Sequence, residues 1–300
     1  MASLSITRRG FLVATGGLLA AAACASGDDD GNRGGRAGGD GPQTSDHHAP
    51  VPQGKGLSAL LLSSDLHAAA DPQRLAFALA ADGDYASGPP ARIAFAPQGS
   101  DALGEALAAE LHQAGLPEGR GIYTVEATLP QAGVWVGAVG SEGETAELAF
   151  EVRDQAVAPV VGQAAPRAAS PTVDDPLGVD PICTRDPDCD LHSVSLDPLI
   201  GSGRPVAALF ATPARCSSQY CGPVLDELLD IAGTYQDRVD IVHVEIYRAN
   251  TGTALVPTVD TWGLPSEPWL YGVDPAGLIV ARLDGAFGGD EITRVLDRLV

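Results

Sequence analysis

Apolar and polar positions alternate through residues 55–154. Leu75, Phe77 and Leu79 fall on one face of an extended segment, and Ile93 and Phe95 do the same after a Gly88-Pro89-Pro90 turn. Tyr123, Val125, Ala127 and Leu129 repeat the pattern, and Ala146, Leu148, Phe150 and Val152 alternate with Glu147, Glu151 and Arg153. A period of two, broken by turn residues, predicts half-buried antiparallel strands. Several such strands within about 100 residues predict a β-sandwich. Leu103, Leu107 and Leu111 lie four apart, which predicts a short helix interrupting the strands. Trp135 reads as a core residue of this region.

The pattern changes after residue 154. Residues 155–180 are rich in Ala, Pro and Val and predict a semi-extended linker. In residues 181–300 the run Pro205–Ala211 is continuously apolar, as suits a strand buried on both faces. An amphipathic segment follows, with Val224, Leu225, Leu228, Leu229 and Ala232 on one side and Gly233 as its stop. Val239–Tyr247 predicts a second buried strand. Trp269–Val273, a Pro275-Ala276-Gly277 turn and Leu278–Leu283 predict a hairpin, and a last helix starts from Asp290.

The N-terminal end reads differently from both regions. Arg8 and Arg9 precede Phe11-Leu12 and an uncharged run to Ala23 that is too short to span a bilayer, for which about 20 residues are needed. A basic start, a short apolar core and small residues at its end predict a signal peptide over residues 1–24. Arg8-Arg9 followed by Phe-Leu resembles a twin-arginine export signal. Ala21-Ala22-Ala23-Cys24 resembles a bacterial lipobox, with Ala21 where Leu is usual; the resemblance implies that Cys24 receives the lipid and anchors the chain to a membrane. Ordinary cleavage, leaving a soluble secreted protein, is the alternative. Residues 25–54 are Gly-, Asp-, Ser- and Pro-rich and predict a disordered tether, with His47 and His48 as solvated residues of it.

The formal net charge is −21, and Lys55 is the single lysine. That composition argues against a nucleic-acid partner, since phosphate binding needs clustered cations, and against a polybasic membrane contact. No phosphate-binding glycine loop, Ser-His-Asp pattern or other cofactor motif is present.

With Cys24 set aside, Cys183, Cys189, Cys216 and Cys221 remain. An even number outside the cytoplasm permits two disulfides, and the short loops favour Cys183–Cys189 and Cys216–Cys221. Cys183 and Cys189, with His192 nearby, also read as a metal or redox pair. Two Cys and one His make an incomplete zinc set, so a structural disulfide and no metal are expected.

Phe210-Ala211-Thr212-Pro213 before Cys216, Cys221-Gly222-Pro223 after it, and Pro268 at the start of a later strand resemble the thioredoxin fold. With Ser195-Leu196-Asp197-Pro198 ahead of the first strand, residues 195–300 look closest to exported thioredoxin-like proteins related to cytochrome-maturation reductases. The resemblance implies a cis Pro268 packed against a redox pair, Cys216 and Cys221. A second, shorter resemblance runs from Gly121 to Trp135, which looks like the late strands of bacterial immunoglobulin-like domains. The resulting expectation is two domains, an immunoglobulin-like β-sandwich followed by an α/β thioredoxin-like domain.

A thiolate at Cys216 would be stabilised by the approaching helix and by Arg215, with Ser217 and Ser218 as candidate N-caps. Four residues separate the cysteines where thioredoxins have two. In a straight helix five steps give ~140° of rotation and ~7.5 Å of rise, beyond the about 4.4–6.8 Å between Cα atoms that a disulfide needs. Either Cys216 lies in the loop before a helix beginning near Pro223, or pairing needs local unfolding. The leading functional expectation is thiol-disulfide exchange with the thiols or disulfides of exported proteins. A redox-inert scaffold with static disulfides is the second reading. A peroxidase, with Arg282 beside the thiolate, is the third; Thr212 lies four before Cys216 rather than the three usual there. Copper delivery would need a downstream histidine, and His243 is expected instead as a strand histidine.

Overall fold

The computed structural model describes residues 56–300, apart from 83, 216–219 and 250. The expected signal peptide, Cys24, the expected tether with His47 and His48, and Cys216, Ser217 and Ser218 therefore lie outside the described residues.

Nine strands form the first half: β1 (Leu57–Leu61), β2 (Ala69–Ala81), β3 (Asp84–Ala86), β4 (Ala91–Pro97), β5 (Leu107–Ala108), β6 (Glu110–His112), β7 (Ile122–Leu129), β8 (Gly133–Ser141) and β9 (Glu144–Val152). One sheet has the order β1-β2-β7-β6, with β3 also on β2, and the other β5-β4-β8-β9. Leu75, Phe77, Tyr123 and Val125 of the first sheet share a buried cluster with Ile93, Trp135, Leu148 and Phe150 of the second. The helix expected over 103–111 is absent. Leu107 pairs with Ile93 in one sheet and Leu111 with Tyr123 in the other. A spacing of four is also two strand periods, and here the chain uses it to cross between sheets.

The second half contributes α1 (Leu196–Leu199), β10 (Val206–Phe210), α2 (Cys221–Ala232), β11 (Asp240–Val244), α3 (Pro257–Trp262), β12 (Trp269–Val273), β13 (Ile279–Asp284) and α4 (Gly289–Asp297). Its sheet runs β11-β10-β12-β13, with β10 and β11 parallel and the other pairs antiparallel. This is the strand order and polarity that the thioredoxin resemblance implies. Leu209, Leu270 and Leu283 face α2 and α4 on one side of the sheet. Phe210, Val242, Trp269 and Tyr271 face α1 and α3 on the other, where Val259 and Trp262 close the layer.

The two halves share one core. β2 carries large residues on one face and Ala76, Ala78 and Ala80 on the other, and both faces are buried. The alanine face packs in one cluster with Leu225, Leu228, Phe287 and Ile292. Small side chains let the helices of the second half approach the sheet of the first. Arg74 fixes the contact: its Nε and Nη2 donate to the Glu291 carboxylate at 2.7 and 2.9 Å, and its other bonds reach the Asp284 and Ala286 carbonyls. Gly285 has φ +77°, and a Cβ there would lie 1.8 Å from the Leu62 carbonyl oxygen. Only glycine fits that approach.

Residues 155–180, expected as a linker, lie along this assembly rather than spanning a gap. Gly162 and Ala165 donate backbone hydrogen bonds to Ile279 and Gly277, and Ala158 and Ala165 are buried. Asp65 accepts from the Val157 and Ala158 amides and pairs with Arg282 at 3.0 Å. Among the described residues no helix is long and apolar enough to cross a membrane.

Candidate functional site

Cys221 opens α2, with Pro223 in the first turn. Its side chain is fully buried, and its sulfur is held in a disulfide whose partner lies outside the described residues. The helix starts at Cys221, two residues before Pro223, where the sequence suggested its start.

The sulfur has an acidic neighbour that the sequence reading passed over. Glu267 Oε2 lies 3.5 Å from Cys221 Sγ and accepts the Thr212 amide at 2.6 Å. The Glu267–Pro268 peptide bond is cis. Burial pushes the Glu267 carboxyl up to about 7, against the Thr212 amide that favours its charged form. A second acid, Glu245, follows β11. Its Oε1 accepts from the Thr184 amide and hydroxyl at 2.6 and 2.9 Å, its Oε2 is buried with no hydrogen-bond partner, and burial raises its pKa. The available signals were an acid directly before Pro268 and a second acid flanked by Val244 and Ile246.

Arg215, expected to support a Cys216 thiolate, donates to the Ala249 carbonyl at 3.0 Å and lies 4.2 Å from the Tyr247 ring centre. Arg282, the cation of the peroxidase reading, is committed to Asp65 and lies over Trp269 at 4.9 Å. It belongs to the contact between the two halves.

Cys183 and Cys189 are free thiols with sulfurs 3.8 Å apart. The expected Cys183–Cys189 disulfide is thus not the form held here, since an S–S bond is about 2.05 Å. The segment carrying them runs along the outer edge of β11, where the His243 amide donates to the Leu191 carbonyl at 3.1 Å. Val242 and Val244 face the α1–α3 side of the sheet, so His243 projects to the opposite side, where α2 lies. There His243 Nδ1 is 3.4 Å from Cys189 Sγ and 3.1 Å from His192 Nε2. Hydrogen bonding from Cys189, aided by both histidines, holds the Cys183 thiol well below its ordinary range, and the same hydrogen bond together with burial pushes the Cys189 thiol up. His243 was expected as an ordinary strand histidine. The structure instead makes it the missing fourth member of the Cys183, Cys189 and His192 set.

No protein-family model matches the chain, and no curated protein is significantly similar to it. Among solved structures, a Chlorobium tepidum protein assigned as the thiol:disulfide interchange protein DsbE is 17% identical, with a TM-score of 0.32, covering 46% of this chain and 98% of its own. A conjugative transposon lipoprotein from Bacteroides eggerthii is 13% identical, with a TM-score of 0.19, covering 32% and 95%. A superoxide reductase from Ignicoccus hospitalis is 14% identical, with a TM-score of 0.21, covering 32% and 78%. Strand order and polarity, not these low similarities, fix the fold of the second half.

Proposed function

We propose that this chain is an exported thiol-disulfide exchange protein that works through Cys216 and Cys221. The observation that carries the reading is the Cys221 sulfur at the head of α2, disulfide-bonded and 3.5 Å from a carboxyl tuned to about 7. We take Cys216 as the partner of that disulfide. In the reduced protein the Cys216 thiolate attacks a client disulfide, forming a mixed disulfide and releasing one client thiolate. Cys221 then passes its proton to the Glu267 carboxylate, and its thiolate attacks the Cys216 sulfur, closing the Cys216–Cys221 disulfide and releasing the second client thiolate. The client is reduced by two electrons and the protein is oxidised by two; the reverse sequence oxidises a client dithiol. A carboxyl near 7 suits both directions, because it takes and returns a proton at neutral pH. Pro268, joined to Glu267 by a cis peptide bond, borders the site.

The N-terminal residues support export by a twin-arginine signal and anchoring through a lipid on Cys24. In this reading the first half is an immunoglobulin-like sandwich packed against a thioredoxin-like domain through a shared buried cluster. Replacing Cys221 with Ser tests the exchange reading. The variant should accumulate Cys216-linked mixed disulfides with exported proteins, dissolved by dithiothreitol. Absence of such adducts, with the 216–221 bond inert in the unaltered chain, favours a redox-inert scaffold.

A further inference from the structure

We infer that Cys183, Cys189, His192 and His243 form a closed, tetrahedral zinc site that fastens the 183–192 segment to β11. Two thiolates and two imidazoles are a donor set suited to zinc. The four donor atoms all lie within 4.8 Å of one another.

The spacings discriminate further. With Zn–S of about 2.3 Å and Zn–N of about 2.0–2.1 Å, a tetrahedron has edges of about 3.8 Å between sulfurs, 3.3 Å between nitrogens and 3.5 Å between sulfur and nitrogen. The structure has 3.8 Å for Cys183–Cys189, 3.1 Å for His192–His243 and 3.4 Å for Cys189–His243.

The surrounding bonds orient the donors. His243 Nε2 is 2.9 Å from the Ala211 carbonyl oxygen, which can only accept. The imidazole proton therefore sits on Nε2, and Nδ1 presents a bare lone pair to Cys189 and His192. The Cys189 amide donates to Cys183 Sγ at 3.5 Å, a contact that favours a thiolate. Cys183, His192 and His243 are buried, where an unmatched charge is costly. One Zn²⁺ balances two thiolates, and binding releases the thiol protons still held.

All four positions are protein ligands, which is the pattern of a structural rather than a water-activating site. Three ligands come from one short stretch, Cys183–His192. The fourth comes from a strand 51 residues later, so the ion would tie a loop-rich segment to the sheet.

The test uses the full chain without an affinity tag, reduced and stripped of metal, titrated with Co²⁺ and then Zn²⁺. One Co²⁺ per chain should bind with the intense ligand-field bands of tetrahedral cobalt and a sulfur-to-cobalt charge-transfer band, and Zn²⁺ should displace it. Zn²⁺ should protect Cys183 and Cys189 from alkylation, and a chelator should expose both. His243→Ala should weaken binding by on the order of 100-fold, at or beyond what loss of an outer partner costs. A variant carrying His47→Ala and His48→Ala should bind unchanged, which separates this site from those two histidines. Should His243→Ala fail to fold, alkylation of the unaltered chain still decides. Weak octahedral cobalt spectra, equal alkylation with and without Zn²⁺, or uptake of copper(I) with zinc refused would each overturn the assignment.

Discussion

Two cysteine sites lie on the same side of one sheet and hold sulfur in different states. Cys221 is oxidised, at the head of α2, with the Glu267 carboxyl 3.5 Å from its sulfur. Cys183 and Cys189 are reduced, with sulfurs 3.8 Å apart and two imidazole nitrogens beside them. The difference lies in what surrounds the sulfur. A carboxyl near neutrality can move a proton and cannot hold a soft metal well, whereas imidazole with thiolate can. Thr184 joins the two sites: it follows Cys183, hydrogen-bonds Glu245, and accepts the Ala214 amide at 3.2 Å, two residues before Cys216.

Glu267→Gln should break the comparison most. It keeps the shape and the Thr212 contact but cannot take a proton. The rate of client exchange should fall on the order of 10²-fold, and the inflection near pH 7 should vanish from the pH–rate profile in stopped-flow measurements. Zinc binding at the second site should not change.

Thr184→Val should follow in size. It removes the hydroxyl bond to Glu245, whose other oxygen already lacks a partner, and should cost about 1–3 kcal/mol in urea unfolding. Exchange should slow less than in Glu267→Gln.

The pH dependence of stability gives a finer test. The Glu267 pKa is raised in the folded chain from its ordinary 4.5 to about 7. Its contribution is fully present below about 4.5 and is lost as pH rises through about 7. Glu267→Gln should flatten that part of the stability curve. The smallest change is expected at the exposed Arg294–Glu110 pair, far from both cysteine sites in chemistry. Removing it with Glu110→Gln should cost under about 1 kcal/mol and alter neither site.

The strand periods of β2, β4, β7 and β9 were legible, as were the order of elements after residue 205 and the cis position of Pro268. The fusion of the two halves was not. Ala76, Ala78 and Ala80 look like neutral spacing between large residues, and their smallness becomes meaningful only when α2 and α4 lie against them. The Leu107 and Leu111 spacing fits a helix and two strands equally. His243 was hidden by distance along the chain, since what brings Cys189 and His192 to it is the 183–192 segment lying along the outer edge of β11, where the His243 amide donates to the Leu191 carbonyl. Its clue was a histidine between Val242 and Val244 in a buried strand, where an imidazole must find partners.

The most direct measurement is a redox titration of the full zinc-loaded chain, with thiols at each cysteine counted by alkylation and mass spectrometry. The account predicts a reversible transition of Cys216 and Cys221 at about −120 to −270 mV, the span of known exchange catalysts. Cys183 and Cys189 should stay reduced and protected throughout. A 216–221 bond that resists reduction until below about −300 mV, the behaviour of a structural disulfide, would contradict it, as would a Cys183–Cys189 disulfide that forms and breaks in the same range.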